Sequence, residues 1–80
     1  MQSNAIDFHK SVLKFIRKLE TKQQKRILSA IYKLPEGDVK ALEGKNGEYR
    51  LRIGDWRIIW EYRNDIIFVM EIGNRGDIYK

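Results

Sequence analysis

Arginines on two strand-like stretches are the residues of this sequence best suited to chemistry. Arg50 and Arg52 are separated by one apolar residue, so on a β-strand both side chains leave the same face of the sheet. The dipeptide Gly54-Asp55 predicts a tight turn, and a hairpin with matched register would bring Arg57 to that face as well. Neighbouring guanidinium groups repel one another unless an anion lies between them, and their planar geometry suits phosphate. The spacing therefore indicates a site for a phosphate group.

The same arginines could instead be exposed strand residues paired with nearby acids. Glu48, Asp55 and Glu61 are the acids available on or beside the two strands. Surface ion pairs of this kind are common and contribute little to stability. From the residues alone both interpretations stay open.

Three aromatic residues of the strands, Trp56, Trp60 and Phe68, could stack on nucleic-acid bases. Trp56 and Trp60 share a strand row with Ile58, and this apolar row favours a place in the core for both tryptophans. His9 is expected at the surface, at the start of a helix.

Composition limits the kinds of site that the chain could hold. The 80 residues suffice for one domain, residues 1–80, with a modest core. Without cysteine there is no thiolate metal site or disulfide, and a single histidine disfavours a histidine-ligated metal. No apolar run approaches the roughly 20 residues of a membrane span, so we expect a cytoplasmic protein that uses no metal or other cofactor and contacts no membrane. The net charge of +5 favours a polyanionic partner only weakly.

Hydrophobic periodicity predicts a strand and two helices in the first half of the chain. A strand over residues 5–8 leads into a helix that ends near Glu20. Thr21 and Gln24 have the spacing of a capping box and predict the start of a second helix. That helix should end at Leu34, because the proline that follows disfavours helical geometry there.

Three further strands are predicted over residues 49–53, 56–62 and 66–72. The polar segment before them, residues 38–48, is expected to be a connection. The order βααβββ predicts an α+β fold in which an N-terminal strand and a helical hairpin pack on an antiparallel sheet.

Two segments of the sequence carry a family resemblance. The run LEGKNGEYRLRIGDWRIIWEY and the tail IGNRGDIYK resemble the RelE/ParE superfamily of bacterial toxin–antitoxin toxins, and its RelE branch most closely. The likeness extends over nearly the whole chain, because the strand, helical hairpin and three-strand meander match the family architecture.

The resemblance implies an endoribonuclease that enters the ribosomal A site, cleaves mRNA there and is held inactive by a cognate antitoxin. In this metal-independent chemistry the 2′-hydroxyl attacks the adjacent phosphate, giving a 2′,3′-cyclic phosphate and a 5′-hydroxyl. It requires a base for the 2′-hydroxyl, positively charged groups that stabilise the phosphorane, and an acid for the leaving oxygen. The implied partners are the antitoxin, the ribosome with its 16S rRNA and the mRNA, and the toxin–antitoxin complex would bind operator DNA through the antitoxin.

By motif, the resemblance places phosphate and RNA contacts on Arg50 and Arg52, with Lys45 and Asn74 beside them. Many relatives have histidine where this chain has Asn74. An amide can donate and accept hydrogen bonds but cannot transfer a proton at neutral pH. Asn74 is therefore expected to bind rather than to catalyse.

The implied catalytic residues are Arg57, Arg75 and Tyr79. Arg57 would be a further clamp on the phosphate, Arg75 would stabilise the transition state and leaving group, and Tyr79 would be the general base. Arginine is a poor proton donor at neutral pH, which favours charge stabilisation for Arg75. Nearby guanidiniums would favour the phenolate form of Tyr79 and so help it to act as a base.

Two other functions stay open at this point. A ParE-like member would poison DNA gyrase without cleaving RNA, and the presence of the whole arginine and tyrosine set argues against it. A catalytically silent relative would only bind its antitoxin or nucleic acid, and the departure at Asn74 keeps this alternative open.

Overall fold

Five strands and two helices build the part of the chain that the structure describes, residues 5–44 and 47–74 of a computed structural model. The strands lie in the order β1-β5-β4-β3-β2, and the helices pack on one face of this sheet. The α+β fold class is therefore confirmed. The elements in chain order are β1 (Ile6–Phe8), α1 (Lys10–Arg17), α2 (Thr21–Ile31), β2 (Val39–Ala41), β3 (Glu48–Ile53), β4 (Trp56–Arg63) and β5 (Ile66–Asn74).

One strand pairing is parallel, so the sheet is mixed rather than antiparallel throughout. β1 lies parallel to β5, with Ile6 opposite Ile67, whereas the β2–β3, β3–β4 and β4–β5 pairs are antiparallel. Parallel neighbours need a long connection between them. Helices α1 and α2 and strands β2, β3 and β4 supply it here, since all of them lie between β1 and β5 in the chain.

The first helix is shorter than its pattern predicts. It ends at Arg17 rather than near Glu20, and it buries Val12 and Ile16 against the sheet. His9 is its N-cap, and the exposed imidazole accepts a hydrogen bond from the backbone N–H of Ser11 at 3.1 Å. That bond satisfies one of the donors that a helix start leaves without an intrahelical partner.

The second helix begins at Thr21 as predicted, but without a capping box. Its N-cap is Glu20, and the side-chain amide of Gln24 instead donates to the carbonyl of Leu19 at 2.8 Å, which links the two helices. The helix ends at Ile31. A tighter turn follows, in which the N–H of Leu34 donates a hydrogen bond to the carbonyl of Ile31 at 3.0 Å. Leu34 stays in the core.

The polar connection contains a strand that the sequence pattern did not indicate. β2 pairs with β3, with Val39 opposite Leu51 and Lys40 opposite Arg50. Val39 also packs against the core. This short strand covers part of the β3 edge, whose backbone groups would otherwise have no strand partner on that side.

The β3–β4 hairpin forms the centre of the sheet. Gly54 opens its turn with a φ of +57°, the left-handed conformation that suits glycine at the first position of a tight hairpin turn. Leu51 lies directly opposite Ile58, and both side chains are buried under the helices. The core thus occupies one face of the hairpin and leaves the alternate residues on the other.

Candidate phosphate-binding site

The register of the hairpin places three arginines on the sheet face opposite the helices. Arg52 lies directly across from Arg57, and Arg50 lies across from Ile59. Residues opposite one another on antiparallel strands share a face, so these side chains lie on one surface, as the alternation predicts. We call this surface the arginine face.

The arginines differ in how far they are covered. Arg50 and Arg57 are buried, with 9% and 8% of their surfaces exposed, whereas Arg52 is exposed. The neighbour of Arg57 on β5 is Gly73, which adds no side chain to this row. Charged residues are rarely buried unless other groups compensate them, so the position of Arg50 and Arg57 is unusual for cations of a small domain.

A single carboxylate contacts two of these arginines. Asp38 places one oxygen 3.6 Å from Nη1 of Arg50 and the other 3.6 Å from Nε of Arg52. Its carbonyl oxygen accepts a hydrogen bond from the backbone N–H of Arg52 at 3.0 Å and lies 3.5 Å from Nη1 of Arg50. Two guanidinium groups therefore converge on one anionic group with two oxygens, which is the arrangement a phosphate requires.

The acid that contacts the cluster is not one of those expected from the sequence. Glu48 and Glu61 lie opposite each other further along the arginine face, and Glu61 forms an ion pair with Arg63. Asp38 directly precedes β2. Because β2 pairs with β3, the backbone of Asp38 lies beside that of Arg52. Without knowledge of that pairing, no sequence signal identifies Asp38.

The three aromatic candidates do not all lie on the same face of the sheet. Trp60 is 1% exposed in the core, and Trp56 packs edge-to-face on Phe15 with ring centroids 5.6 Å apart. Both observations confirm the core positions expected for the tryptophans. Phe68 lies across from Glu61, on the arginine face.

The register does not bring Asn74 to the arginines. Asn74 is the last residue of β5 and lies across from Trp56, so it belongs to the helix-side face of the sheet, where it is exposed. Lys45, Arg75 and Tyr79, which the resemblance places in the RNA-binding and catalytic groups, lie outside the described residues. Their roles stay predictions.

Two further kinds of site are absent from the described ranges. Within residues 5–44 and 47–74 no three His, Asp or Glu side chains lie close enough together to hold a metal ion. In the same residues, neither helix has the length and apolar content to cross a membrane.

Comparison of the sequence with known families gives a match over most of the chain. Residues 6–79 match the sequence model of the family described as ParE toxin of type II toxin-antitoxin system, parDE. A curated protein of Methanocaldococcus jannaschii, named as toxin RelE1, is 31% identical over 86 aligned residues, which cover 94% of this chain and 93% of that protein.

Solved structures show the same fold. A chain of the RelB-RelE antitoxin-toxin complex from Methanococcus jannaschii is 26% identical with a TM-score of 0.75, over 91% of this chain and 94% of that chain. A chain of the archaeal RelE-RelB complex from Pyrococcus horikoshii OT3 is also 26% identical, with a TM-score of 0.76 over 95% of this chain and 99% of that chain.

Proposed function

Because this chain belongs to the ParE toxin family of type II toxin–antitoxin systems, within the RelE/ParE superfamily, we propose that it is an endoribonuclease that cleaves mRNA in the ribosomal A site. The chain is a RelE-like toxin.

The observation that carries the proposal is the convergence of Arg50 and Arg52 on Asp38. The carboxylate lies 3.6 Å from both side chains, and 57% of its side-chain surface is exposed. An exposed carboxylate that is held by weak pairs can be exchanged for a stronger anion from solution. An RNA phosphate, with more negative charge spread over its oxygens, would take that place between the same guanidiniums.

Three chemical tasks follow for cleavage without a metal. A base takes the proton of the 2′-hydroxyl, the new bond from O2′ to phosphorus forms, and the bond from phosphorus to O5′ breaks with a proton added to O5′. Charge accumulates on the non-bridging oxygens between these events, and fixed positive groups stabilise it. Arg50 and Arg52 would hold the phosphate. Arg57, directly across from Arg52, would stabilise the negative charge that develops on it.

The family resemblance assigns the base and the leaving-group stabiliser to the tail. Tyr79 would take the proton of the 2′-hydroxyl, Arg75 would stabilise the leaving oxygen, and water would supply the proton that O5′ gains. Lys45 and Asn74 would contact RNA beyond the scissile phosphate. Of these four residues the structure describes Asn74, which lies on the helix-side face at the end of β5, so its contact would come from the sheet end rather than from the arginine face.

A protein antitoxin is the proposed regulator. The two archaeal structures compared above are complexes with RelB, and the same kind of partner is proposed for this chain. The ribosome, through 16S rRNA, and mRNA would be its targets, and the toxin–antitoxin complex would reach operator DNA through the antitoxin.

Primer extension tests the proposal directly. The protein is added to purified ribosomes that hold a defined mRNA, and new 5′ ends are mapped. We expect ends within the A-site codon for the unmodified chain and their loss for Arg57→Ala and Arg75→Ala. Arg17→Ala is the matched control, because Arg17 is an exposed arginine on α1, and it should cleave normally. An intact message with the unmodified chain would remove the nuclease proposal.

One observation favours a second function, since the matching family carries the name ParE toxin. A ParE-like toxin would trap DNA gyrase in a cleaved complex with DNA and leave mRNA intact. Purified gyrase with supercoiled plasmid, incubated with the protein, separates the two functions: linear DNA after protease treatment indicates poisoning. If neither assay responds, a catalytically silent relative that only binds its antitoxin becomes the better account.

A further inference from the structure

Phe68 is an aromatic residue outside the helix-side core. It lies in the first half of β5, directly across from Glu61, and therefore shares the arginine face with Arg57. The buried residues of the core cluster and the residues packed against it do not include Phe68, although they include Trp56 and Trp60. Packing under the helices therefore does not explain an aromatic ring at this position.

A guanidinium group lies over the ring of Phe68. The central carbon of the Arg63 guanidinium is 4.1 Å from the ring centroid, which is a cation–π contact. Glu61 forms an ion pair with Nε of the same arginine and so restrains its orientation. The Arg63 side chain is 55% exposed. The result is a partly exposed pair of an aromatic ring and a guanidinium, each of which can stack on a nucleic-acid base.

The charges on the arginine face favour a base at one position and a phosphate at another. The row that contains Phe68 also contains Glu48, Glu61 and Asp7, whereas the row nearer the turn contains Arg52 and Arg57. Three carboxylates disfavour a phosphate beside Phe68, but they do not disfavour an uncharged base. The cationic rows near the turn favour the phosphate.

The distance between the two sites fits one RNA strand. Arg57 and Glu61 are four residues apart on β4, which is about 13 Å at the ordinary rise of a strand, and Phe68 is the neighbour of Glu61 on β5. Ile59 lies between them on the same face and is buried. An extended single strand held by its phosphate at the arginines can thus reach the pair of Phe68 and Arg63 with a nearby base.

We propose that Phe68 and Arg63 form a base-stacking subsite for an unpaired nucleotide that flanks the scissile phosphate. The inference rests on the proposed RNA substrate and adds a residue pair that would influence which nucleotide is preferred beside the cut. Phe68 is a positioning residue in this proposal, since it contacts a base rather than the reacting atoms.

The test uses 2-aminopurine, whose fluorescence falls when it stacks on an aromatic group. Ribosomes are programmed with mRNA that carries the probe at one A-site codon position at a time, and a 2′-deoxy nucleotide before the scissile phosphate blocks cleavage. We expect the protein to quench the probe at one position. Phe68→Leu should abolish the quenching and Phe68→Tyr should retain it. Tyr32→Leu, a control at an exposed aromatic on the helix side, should also retain it.

Kinetics on unmodified mRNA give the second readout. Loss of base stacking should raise KM about fivefold or more in Phe68→Leu, while the turnover of bound complexes changes less. Circular dichroism and thermal unfolding establish that the variant is folded, and Phe68→Tyr should restore KM.

The outcomes separate this inference from the proposed function. Cleavage by the unmodified chain without any Phe68-dependent quenching overturns the stacking subsite and leaves the nuclease in place. Quenching that depends on Phe68 without cleavage of unmodified mRNA supports the subsite and overturns the nuclease. If neither appears, both fall.

Discussion

Replacing Asp38 with asparagine should weaken the fold and strengthen RNA binding at the same time. The Asp38 carboxylate contacts Arg50 and Arg52 in the free protein, so an incoming phosphate must displace it or share the two guanidiniums with it. The asparagine would keep the size of the side chain but lose its charge. The contacts that stabilise the free protein are then the same contacts that compete with the substrate.

The size of both effects follows from the exposure of the pairs. Both N–O distances are 3.6 Å, and the side chains of Asp38 and Arg52 are 57% and 49% exposed, whereas that of Arg50 is 10% exposed. Exposed ion pairs contribute about 0.2–1 kcal/mol each, so the two together give about 1 kcal/mol after solvent screening. The Tm should fall by about 4–8 °C, and KM for programmed ribosomes should fall about fivefold, because 1.4 kcal/mol corresponds to about a tenfold change.

Asp65→Asn is the control for this experiment. It makes the same change in side chain and in net charge, at a residue in the β4–β5 turn whose left-handed φ of 67° asparagine tolerates. Thermal unfolding and mRNA cleavage as a function of ribosome concentration are measured for both variants. A KM that rises in Asp38→Asn, or that falls equally in Asp65→Asn, would refute the competition between carboxylate and phosphate.

Three predictions concern the turns and the core, and each is measured as the free energy of unfolding in urea. Asp65→Gly should raise it by about 0.5 kcal/mol, since Asn64 and Asp65 both have positive φ and Asn-Gly is the favoured pair for such a turn; a decrease would contradict this. Gly54→Ala should lower it by about 1–2 kcal/mol, because φ is +57° and the new Cβ would lie 2.9 Å from Nη2 of Arg26. The double variant with Arg26→Ala should recover part of that loss, and full recovery would show that backbone strain is unimportant there. Ile27→Ala should lower it by about 2–5 kcal/mol, since Ile27 is fully buried; a loss below about 1 kcal/mol would place Ile27 outside the tightly packed core.

The features that could be predicted from the sequence are those that local patterns determine. Alternation along residues 49–53 and 56–62 was enough to assign Leu51 and Ile58 to one face and the arginines to the other, and the observed register agrees. Both helices were recognised from their buried stripes, although each ends about three residues before the predicted end. Helix ends depend on capping and on the path of the next segment, so they are less well determined than helix faces.

The features that could not be predicted depend on contacts between distant segments. β2 has only three residues, one of them a lysine, and it forms a strand because β3 offers it an edge. The parallel pairing of β1 with β5 likewise has no local pattern. Asp38 is the clearest case, because its role beside Arg50 and Arg52 exists only once β2 has paired.

The core, rather than a bound anion, holds the arginine cluster together. Arg52 and Arg57 lie directly opposite each other, and like charges in that position are unfavourable by about 0.2–1 kcal/mol. Leu51 and Ile58, opposite each other on the helix-side face and no more than 2% exposed, each contribute about 1.5–3 kcal/mol by burial. A slip of one residue in either strand would turn its apolar side chain, Leu51 or Ile58, outward and its arginines into the core. Burial of the two apolar side chains therefore outweighs the repulsion and fixes the register, and the guanidiniums are already in place before a phosphate arrives.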